Sequence, residues 1–330
     1  KDNTSMKENA LYASEAGCPD KNALLLALDR IRPYIHRTPV FSSSSINQLT
    51  DAELYFKCEA FQKAGAFKFR GAMHALLTLG VEERKRGVAT HSSGNHAQAL
   101  ALSARILGIK AYIVMPRNAP TVKVEGVRSY GGIISFCEPT LAAREERLKQ
   151  LIADTDAVLI HPYNDYQIIA GAASATVELL EEMPNAEMVI APVGGGGLFS
   201  GSILATRYFS SHTQAIGAEP LMANDAWQSF RQGRIIPSIN PATIADGLRT
   251  SLGSLTFPII LDGAADILTA KEESIIHAMR LIWERMKVLV EPSAALPLAI
   301  ILEHPEIFRG KTAGLILSGG NTDLNKLPWQ

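Results

Sequence analysis

The chain has 330 residues, of which 47% are hydrophobic and 20% charged, and its formal net charge at pH 7 is −1. This composition is that of a globular protein with room for about two domains, and the balanced charge argues against nucleic acid or an acidic membrane surface as the main partner. The longest apolar stretch, residues 294–302, is much shorter than the ~20 residues that a membrane-spanning helix needs.

The cysteines and the start of the chain bear on the compartment. Three cysteines occur, far apart and odd in number: Cys18, Cys58 and Cys137. Such usage predicts a reducing compartment and neither a disulfide framework nor a zinc site. No charged segment followed by an apolar stretch and a cleavage site stands near residue 1, so we predict a cytoplasmic protein. Residues 1–20 are polar and lack a period, and we expect them to form a flexible lead.

Short apolar runs alternate along the chain with longer amphipathic patterns. We predict strands at residues 54–57, 88–91, 111–115, 133–136, 157–160, 188–193, 215–218 and 313–317. We predict helices at residues 69–79, 96–107, 121–129, 141–153, 167–182, 198–209 and 272–287. This alternation predicts an α/β fold made of open, twisted parallel sheets with helices on both faces. Strands covered on both faces read as continuous apolar runs, as these do.

The domain division follows from the same pattern. Strand–helix units with a periodicity of their own fill the region between about residues 86 and 164. We therefore predict a small inserted domain over residues 87–164. The large domain would consist of residues 21–86 together with residues 165–330.

Four consecutive glycines follow the apolar run of residues 188–193, and the next predicted helix starts directly after them, at Leu198. Glycine has no Cβ atom, so consecutive backbone amides turn toward one anion without steric cost. The positive end of the following helix adds to the attraction. We therefore predict a phosphate cradle at Gly194, Gly195, Gly196 and Gly197.

Two more glycine-bearing turns follow predicted strands, at residues 92–96 and 318–321. Ligands of open α/β sheets lie beyond the carboxyl ends of the strands. Three such turns, each rich in small hydrogen-bonding residues, predict one site built from several strand ends.

The residues around the glycines narrow the choice of ligand. A Walker A loop requires Gly-Lys-Ser/Thr, whereas Leu198, Phe199 and Ser200 follow here. Glu219 lies about where a dinucleotide fold places its ribose-binding carboxylate. However, no register gives the G-x-G-x-x-G pattern, because Ser200 occupies its last position. A nicotinamide-dependent oxidoreductase remains the alternative from a different class.

Five segments are similar, in order, to motifs of the serine racemase and serine/threonine dehydratase family. They are residues 56–59 (FKCE), 62–72 (QKAGAFKFRGA), 92–96 (SSGNH), 194–197 (GGGG) and 318–321 (SGGN). Members of that family are pyridoxal-phosphate enzymes of the second fold type, and the likeness runs from about Leu24 to Leu324. The resemblance implies that pyridoxal 5'-phosphate lies in a cleft between two domains.

Lys68 is the candidate for the covalent link to the cofactor. It lies between Phe67 and Phe69, and burial lowers the pKa of a lysine from about 10.4, which frees the amine for attack on an aldehyde. The resemblance implies that Lys68 forms the Schiff base and takes the Cα proton of the substrate. It also implies that Phe67 contacts the cofactor. Asn95 would bind its phenolic oxygen and Ser318 its pyridine nitrogen.

The resemblance also implies a loop that binds the substrate carboxylate with backbone amides, formed by Ser92, Ser93, Gly94, Asn95 and His96. Ser93 would supply a proton on the face opposite Lys68, which racemisation requires. Arg144 lies in a charged helical pattern of the kind that usually faces solvent. Its position nevertheless matches a family arginine that binds a second carboxylate, and a guanidinium suits that task.

Two further ligands are implied by the resemblance. Glu219 and Asp225, with the backbone carbonyl of Ala223, match the divalent-cation site of serine racemases, and oxygen ligands suit Mg²⁺, Mn²⁺ or Ca²⁺. ATP is a candidate activator, because six residues match the nucleotide site of animal serine racemases: Lys63, Gln98, Lys123, Tyr130, Lys287 and Asn321.

We therefore predict a pyridoxal-phosphate enzyme that eliminates water from small β-hydroxy amino acids such as serine or threonine. The products would be a 2-oxo acid and ammonia, with serine racemisation as a companion activity. Within the class, the alternatives are a 3-hydroxyaspartate dehydratase and a racemase acting on aspartate. From a third class, the chain could be a non-catalytic sensor that keeps the cofactor fold. We expect a small amino acid as the substrate and a homodimer as the assembly.

Overall fold

The computed structural model describes residues 17–330. Its strands are β1 Val40–Ser42, β2 Glu53–Cys58, β3 Val88–His91, β4 Ala111–Pro116, β5 Ile133–Cys137, β6 Val158–Leu159, β7 Met188–Pro192, β8 Gln214–Pro220, β9 Asp266–Ala270 and β10 Thr312–Leu317. Its helices are α1 Lys21–Ile31, α2 Ser44–Thr50, α3 Lys68–Thr78, α4 Val81–Arg86, α5 Asn95–Leu107, α6 Thr121–Ser129, α7 Leu141–Thr155, α8 Tyr166–Glu182, α9 Gly197–Phe209, α10 Asp225–Gln232, α11 Thr256–Gly263, α12 Glu272–Leu281, α13 Pro292–Glu303 and α14 Pro305–Phe308.

The strands form two sheets. The larger sheet has the order β1-β2-β10-β7-β8-β9, and the smaller one has the order β5-β4-β3-β6. All neighbouring strands run parallel except β1, which pairs antiparallel with β2 at the edge of the larger sheet. The α/β class with parallel sheets is thus as predicted, with one antiparallel edge strand as a correction.

Helices cover both faces of each sheet. In β7, Val189 belongs to the apolar core that includes Phe199 of α9, whereas its neighbour Ile190 belongs to the core on the other face, which includes Met279 of α12. In β4, Ile113 packs toward α5 and Val114 toward α7. Because successive strand residues point to opposite faces, two covered faces require apolar residues at every position. This requirement explains the continuous apolar runs of the sequence.

Several predicted boundaries shift in the structure. The helix after the tetraglycine begins at Gly197 and not at Leu198. The helix predicted over residues 272–287 ends at Leu281 and continues as a π-helix over Ile282–Met286. The strand predicted over residues 157–160 is shorter, at Val158–Leu159. The periodicity of apolar residues does not show where backbone hydrogen bonding begins and ends. The predicted ends of helices and strands are therefore less accurate than their existence.

The smaller sheet is built from residues 88–159 and lies within the region predicted as an inserted domain. The division into a large and a small domain itself stays a prediction. Of the lead predicted over residues 1–20, the first sixteen residues lie outside the described part of the chain. Within residues 17–330, no helix is long and apolar enough to cross a bilayer.

Candidate active site

The three predicted glycine-bearing turns occupy the carboxyl ends of parallel strands. Residues 92–96 follow β3, the tetraglycine follows β7, and residues 318–321 follow β10. The last turn meets the segment that carries Lys68. The Phe67 N–H donates to the Ser318 carbonyl at 2.9 Å, and Ala66 forms an antiparallel bridge with Gly319. Lys68 and Ser318 are therefore held on adjoining stretches of backbone.

Lys68 is the first residue of α3 and is half-buried. Its Nζ donates a hydrogen bond of 2.6 Å to the carbonyl of Pro162. Removal from water disfavours the ammonium form and lowers the pKa of Lys68 to about 8. The amine is therefore partly unprotonated near neutral pH, which is the state that attacks an aldehyde.

A buried ionic network holds α3 in place behind Lys68. Arg70 is fully buried and forms hydrogen-bonded ion pairs with Glu59 at 2.7 Å and Glu178 at 2.8 Å. Lys57, also fully buried, pairs with Glu178 at 2.8 Å and donates to the Thr38 carbonyl. Two cations face two carboxylates, so the cluster has no net charge. It ties β2, α3 and α8 together.

The tetraglycine is packed so closely that side chains are excluded. A Cβ atom added at Gly195 would lie 2.3 Å from the Tyr163 ring, and one at Gly194 would lie 3.0 Å from the Gly247 carbonyl. Gly196 has φ of +92°, a conformation that favours glycine. The Gly195 carbonyl accepts a hydrogen bond from Thr256 Oγ1 at 2.8 Å. This loop leads into α9, whose N-terminus favours an anion.

The loop after β3 places Asn95 in a polar cluster. Asn95 Nδ2 donates to Glu291 Oε1 at 2.6 Å, and Asn95 Oδ1 accepts from Asn321 Nδ2 at 3.0 Å. Burial raises the pKa of Glu291 to about 7, although Lys123 nearby favours its charged form. Both ends of the Asn95 amide are thereby fixed, which sets the direction in which its remaining donor and acceptor capacity points.

The rest of the predicted substrate loop lies beside Asn95. Ser92, Ser93 and Gly94 are half-buried, and Ser92 Oγ accepts from the Gly94 N–H at 3.3 Å. His96 is buried, and its Nε2 lies 3.4 Å from the carbonyl of Ile160. Burial lowers the pKa of His96 well below its usual value, so the imidazole is neutral. Its contacts are those of a residue that supports the loop.

Arg144 lies on α7, half-buried, and its Nε donates to the Thr140 carbonyl at 3.4 Å. Burial first, and then the Arg144 guanidinium, lower the pKa of His91 to about 4. His91 immediately precedes Ser92. The arginine therefore lies within electrostatic reach of the substrate loop and is not confined to solvent contacts.

The three predicted cation ligands lie around the start of α10. Glu219 accepts from the N–H groups of Ala226 and Trp227, and Ala223 is buried. Both carboxylate oxygens of Asp225 are buried without a hydrogen-bond partner. Burial raises the pKa of Asp225 to about 6, while burial and then Asp225 raise that of Glu219 well above its usual value. Within residues 17–330, no three His, Cys, Asp or Glu side chains converge as a metal-binding group.

Three of the six candidate nucleotide-binding residues line one cavity of about 220 Å³, namely Gln98, Lys123 and Asn321. Lys123 is buried and forms an ion pair with Asp246. Lys63, Tyr130 and Lys287 do not line this cavity. The structure therefore brings together half of the set that the sequence suggests.

Sequence reasoning does not single out His161, Tyr163 or Glu291, which all lie at the site. Glu291 forms its bond to Asn95 across 196 positions of sequence, and no local pattern carries such a contact. The one available indication for His161 is its place directly after an apolar strand, where site residues of α/β sheets tend to lie.

The fold and the site define an α/β protein in which an amine of lowered pKa contacts Pro162 and a glycine loop before a helix contacts the adjacent Tyr163. A family model described as pyridoxal-phosphate dependent enzyme matches residues 31–319. The chain therefore belongs to the family of pyridoxal-phosphate dependent enzymes.

Individual relatives agree with this assignment. The chain is 46% identical to the beta-hydroxyaspartate dehydratase of Paracoccus denitrificans, over 94% of this chain and 99% of that protein. It is 49% identical to the serine racemase of Arabidopsis thaliana, over 91% and 92% of the two chains. The solved structure of maize serine racemase superposes with a TM-score of 0.92 at 44% identity, covering 94% of this chain and 95% of the other.

The residues of this structure fit the cofactor of the family. The cradle at Gly194–Gly197 admits no Cβ atom at Gly195, where it would overlap the Tyr163 ring, so the loop itself contributes only backbone groups. Lys68 offers an amine of lowered pKa in the same cleft. These groups would hold the phosphate and the aldehyde carbon of pyridoxal 5'-phosphate, respectively.

Proposed function

We propose that this enzyme eliminates water from small β-hydroxy amino acids such as serine or threonine, and that it racemises serine as a companion activity. Elimination removes the Cα proton and the β-hydroxyl as water. The enamine that leaves becomes an imine, which takes up water to give a 2-oxo acid and ammonia. The observation that carries the proposal is the half-buried Lys68 amine, with a pKa of about 8, tied to Ser318 through the Phe67 backbone.

Pyridoxal 5'-phosphate, when bound, supplies an aldehyde carbon that amines attack and a ring that withdraws electrons from the substrate Cα. Lys68 Nζ takes the Cα proton. With a pKa of about 8, about a quarter of the amine is unprotonated at pH 7.5, against about a thousandth for an ordinary lysine. The same Nζ then returns the proton to the departing hydroxyl.

The loop after β3 orients the amino acid. Its backbone amides, from Ser92 to His96, bind the α-carboxylate, and Asn95 binds the phenolic oxygen of the cofactor. Ser93 moves a proton at Cα from the face opposite Lys68, which allows the proton to return with inverted stereochemistry. The Ser318 hydroxyl would donate a hydrogen bond to the pyridine nitrogen and leave that nitrogen largely unprotonated. Support for the loop comes from its place at the carboxyl end of β3 and from the fixed amide of Asn95.

Product analysis with separate substrates tests this function. The enzyme is incubated with L-serine, D-serine and L-threonine, and 2-oxo acid, ammonia and enantiomer ratio are measured together. We expect 2-oxo acid from L-serine and appearance of D-serine. Ser93→Ala should abolish racemisation while elimination continues. No turnover of serine or threonine in any of these assays would refute the proposal.

A second candidate substrate is 3-hydroxyaspartate, favoured by Arg144. Its guanidinium acts on His91 at the rim of the substrate loop, where it could bind the additional carboxylate as a charge-assisted pair. The beta-hydroxyaspartate dehydratase of Paracoccus denitrificans is 46% identical to this chain. On this account the same elimination converts 3-hydroxyaspartate to oxaloacetate and ammonia.

Two arginines on α7 provide a matched test of that candidate. Arg147 donates to Ser135 Oγ and Gln150 and serves as the control. Arg144→Gln should raise KM for 3-hydroxyaspartate about thirtyfold, as loss of a hydrogen bond between charged groups does, and leave KM for serine within about twofold. Equal effects of Arg144→Gln and Arg147→Gln, or equal effects on both substrates, would dismiss Arg144 as the second carboxylate site.

We propose a divalent-cation site at Glu219, Asp225 and the Ala223 carbonyl. The two carboxylate oxygens of Asp225 are buried without a hydrogen-bond partner, and a second buried carboxylate, Glu219, faces them. Buried anions of this kind are costly unless a cation neutralises them. Oxygen ligands suit Mg²⁺ or Ca²⁺, with water completing the coordination.

We propose that the cavity lined by Gln98, Lys123 and Asn321 accepts the phosphates of ATP as an activator. Its support is a buried lysine and two amides around about 220 Å³. Isothermal titration of wild type and Lys123→Met with ATP tests it. Equal heats from the two proteins would contradict the proposal.

We propose that the protein assembles as a homodimer. The support is an exposed apolar pair at the sheet edge: Phe41, in the edge strand β1, and Phe61, whose rings contact edge to face. Light scattering on wild type and Phe41→Asp measures the assembly. A monomeric wild-type protein would contradict the proposal.

A further inference from the structure

The turn that follows β6 is organised by an imidazole. His161 Nδ1 accepts hydrogen bonds from two backbone N–H groups, those of Tyr163 at 3.2 Å and Asn164 at 2.8 Å. An atom that accepts two N–H donors carries no proton, so the ring is the neutral tautomer with its hydrogen on Nε2. Burial first, and then the nearby His91 and Lys68, lower the pKa of His161 to about 3 and keep this state at neutral pH.

The middle of this turn faces the amine of Lys68. The carbonyl of Pro162 accepts the hydrogen bond from Lys68 Nζ at 2.6 Å. Proline has a restricted φ, so the direction of its carbonyl depends on ψ, and the bond from the Tyr163 N–H to His161 Nδ1 holds the peptide to which that carbonyl belongs. Because His161 Nδ1 accepts from the two N–H groups that follow Pro162, the Pro162 carbonyl oxygen is held in one direction.

The other end of the turn has anchors of its own. Asn164 Oδ1 accepts from the Leu255 N–H at 2.7 Å, and Asn164 Nδ2 donates to Ser254 Oγ at 3.1 Å. The next residue, Thr256, begins α11, and its Oγ1 donates to the Gly195 carbonyl. Asn164 therefore has two side-chain anchors besides the bond from its N–H to His161 Nδ1, whereas the peptide that carries the Pro162 carbonyl is held by the bond from the Tyr163 N–H to the imidazole.

We propose that His161 is a positioning residue for Lys68. Its unprotonated Nδ1 holds the Pro162 carbonyl where the free amine donates, so that Lys68 Nζ waits in a single place with its lone pair in a restricted direction. Such orientation lowers the entropy cost of bringing Lys68 Nζ to the aldehyde carbon and to the Cα proton. The inference rests on the proposed function only in taking Lys68 as the amine that meets the cofactor.

Two amide variants separate the two nitrogens of the imidazole. In His161→Asn the side-chain oxygen occupies the place of Nδ1, and in His161→Gln it reaches the place of Nε2. Dissociation constants are measured on the full chain after removal of the cofactor with hydroxylamine. The probes are pyridoxal 5'-phosphate and 4'-deoxypyridoxine 5'-phosphate, which has the same ring and phosphate but no aldehyde.

The expected pattern is selective. His161→Gln should weaken binding of pyridoxal 5'-phosphate about tenfold, and binding of the deoxy compound by less than about twofold, because only the aldehyde needs Lys68. His161→Asn should bind both compounds nearly as wild type does. Thr256→Val serves as the opposite control, since loss of its bond to Gly195 should weaken both compounds equally.

Two outcomes with the amide variants would contradict the inference. Equal weakening of both compounds by His161→Gln would mean a general structural role, and equal behaviour of the Asn and Gln variants would mean that Nδ1 does not matter. A second measurement needs no variant at all. The ¹⁵N shifts of His161 in the wild-type holoenzyme should be those of a neutral ring protonated at Nε2 from pH 6 to 9, and a proton on Nδ1 would overturn the inference. If the cofactor bound at another lysine, the proposed role of Lys68 would be wrong. Binding of the deoxy compound would still measure the affinity of the glycine cradle in that case.

Discussion

The backbone N–H of Phe67 donates to the carbonyl of Ser318 across 2.9 Å. This single bond joins the residue before the candidate amine to the candidate partner of the pyridine nitrogen. Gly320 N–H adds a second bond, to the Gly65 carbonyl, on the other side of the bridge between Ala66 and Gly319. The two groups that would act on opposite ends of the cofactor are thus set relative to each other by main chain and not by flexible side chains.

We expect Gly195→Ala to lose cofactor binding. Its Cβ atom would lie 2.3 Å from the Tyr163 ring, so either the ring or the loop must move. Affinity for pyridoxal 5'-phosphate should fall at least about a hundredfold, the loss of about 3 kcal/mol that overpacking causes. Gly17→Ala is the control, because a Cβ atom there would meet nothing within 4 Å. Similar affinities of the two variants would show that the loop has more room than the structure gives it.

The reaction of Lys68 with the cofactor should level off at an unusually low pH. Burial lowers the pKa of Lys68 to about 8, so about half of the amine is unprotonated at pH 8 and about nine-tenths at pH 9. The rate at which the cofactor-free chain takes up pyridoxal 5'-phosphate should therefore rise with pH and reach a plateau above about pH 9. A rate that keeps rising to pH 10.5, as for a solvated lysine, would show that the amine is not desolvated.

The buried network around Arg70 should contribute strongly to stability. Glu178→Gln removes the negative charge shared by Lys57 and Arg70 at 2.8 Å and leaves two buried cations with one carboxylate. We expect the free energy of unfolding in urea to fall by about 3–5 kcal/mol. Glu181→Gln, on the same helix but in an exposed pair with Arg37, should cost less than about 1 kcal/mol. Equal costs would mean that the network does not hold α3.

Magnesium should stabilise the protein through Asp225. At a concentration of about 100 times Kd, a ligand bound only by the folded state adds about 2.7 kcal/mol, and we expect a matching rise of Tm in MgCl₂ over EDTA. Asp225→Asn should abolish the rise. Asp262→Asn, an exposed residue paired with Arg207, should retain it. A rise that persists in Asp225→Asn would place the cation elsewhere.

Much of the fold could be predicted, because buried parallel strands need apolar residues on both faces. Strands such as β7, buried at all five positions, stand out in the sequence for that reason. β1 does not, since its three residues are exposed or half-buried at a sheet edge and show neither a run nor an alternation. Helices α10 and α11 have only eight residues each, too short for a clear helical period.

The candidate site likewise contains residues that the sequence predicts and residues that it does not. Lys68, the tetraglycine and Ser318 belong to short contiguous motifs, and the residue types in these motifs indicate their chemistry. Glu291 and His161 act through contacts with Asn95 and with the backbone of a turn, and these contacts exist only after the sheets have formed. Side chains that work by holding other groups leave no motif of their own, so the sequence does not reveal them.

Borohydride reduction of the holoenzyme, followed by peptide mapping, tests the central claim most directly. Reduction makes the bond between the cofactor and its lysine permanent, so the mass of the modified peptide identifies the residue. We predict a single pyridoxyl group, on the peptide that carries Lys68, and none in Lys68→Ala. A modified peptide without Lys68, or a protein that takes up no cofactor, would contradict the account.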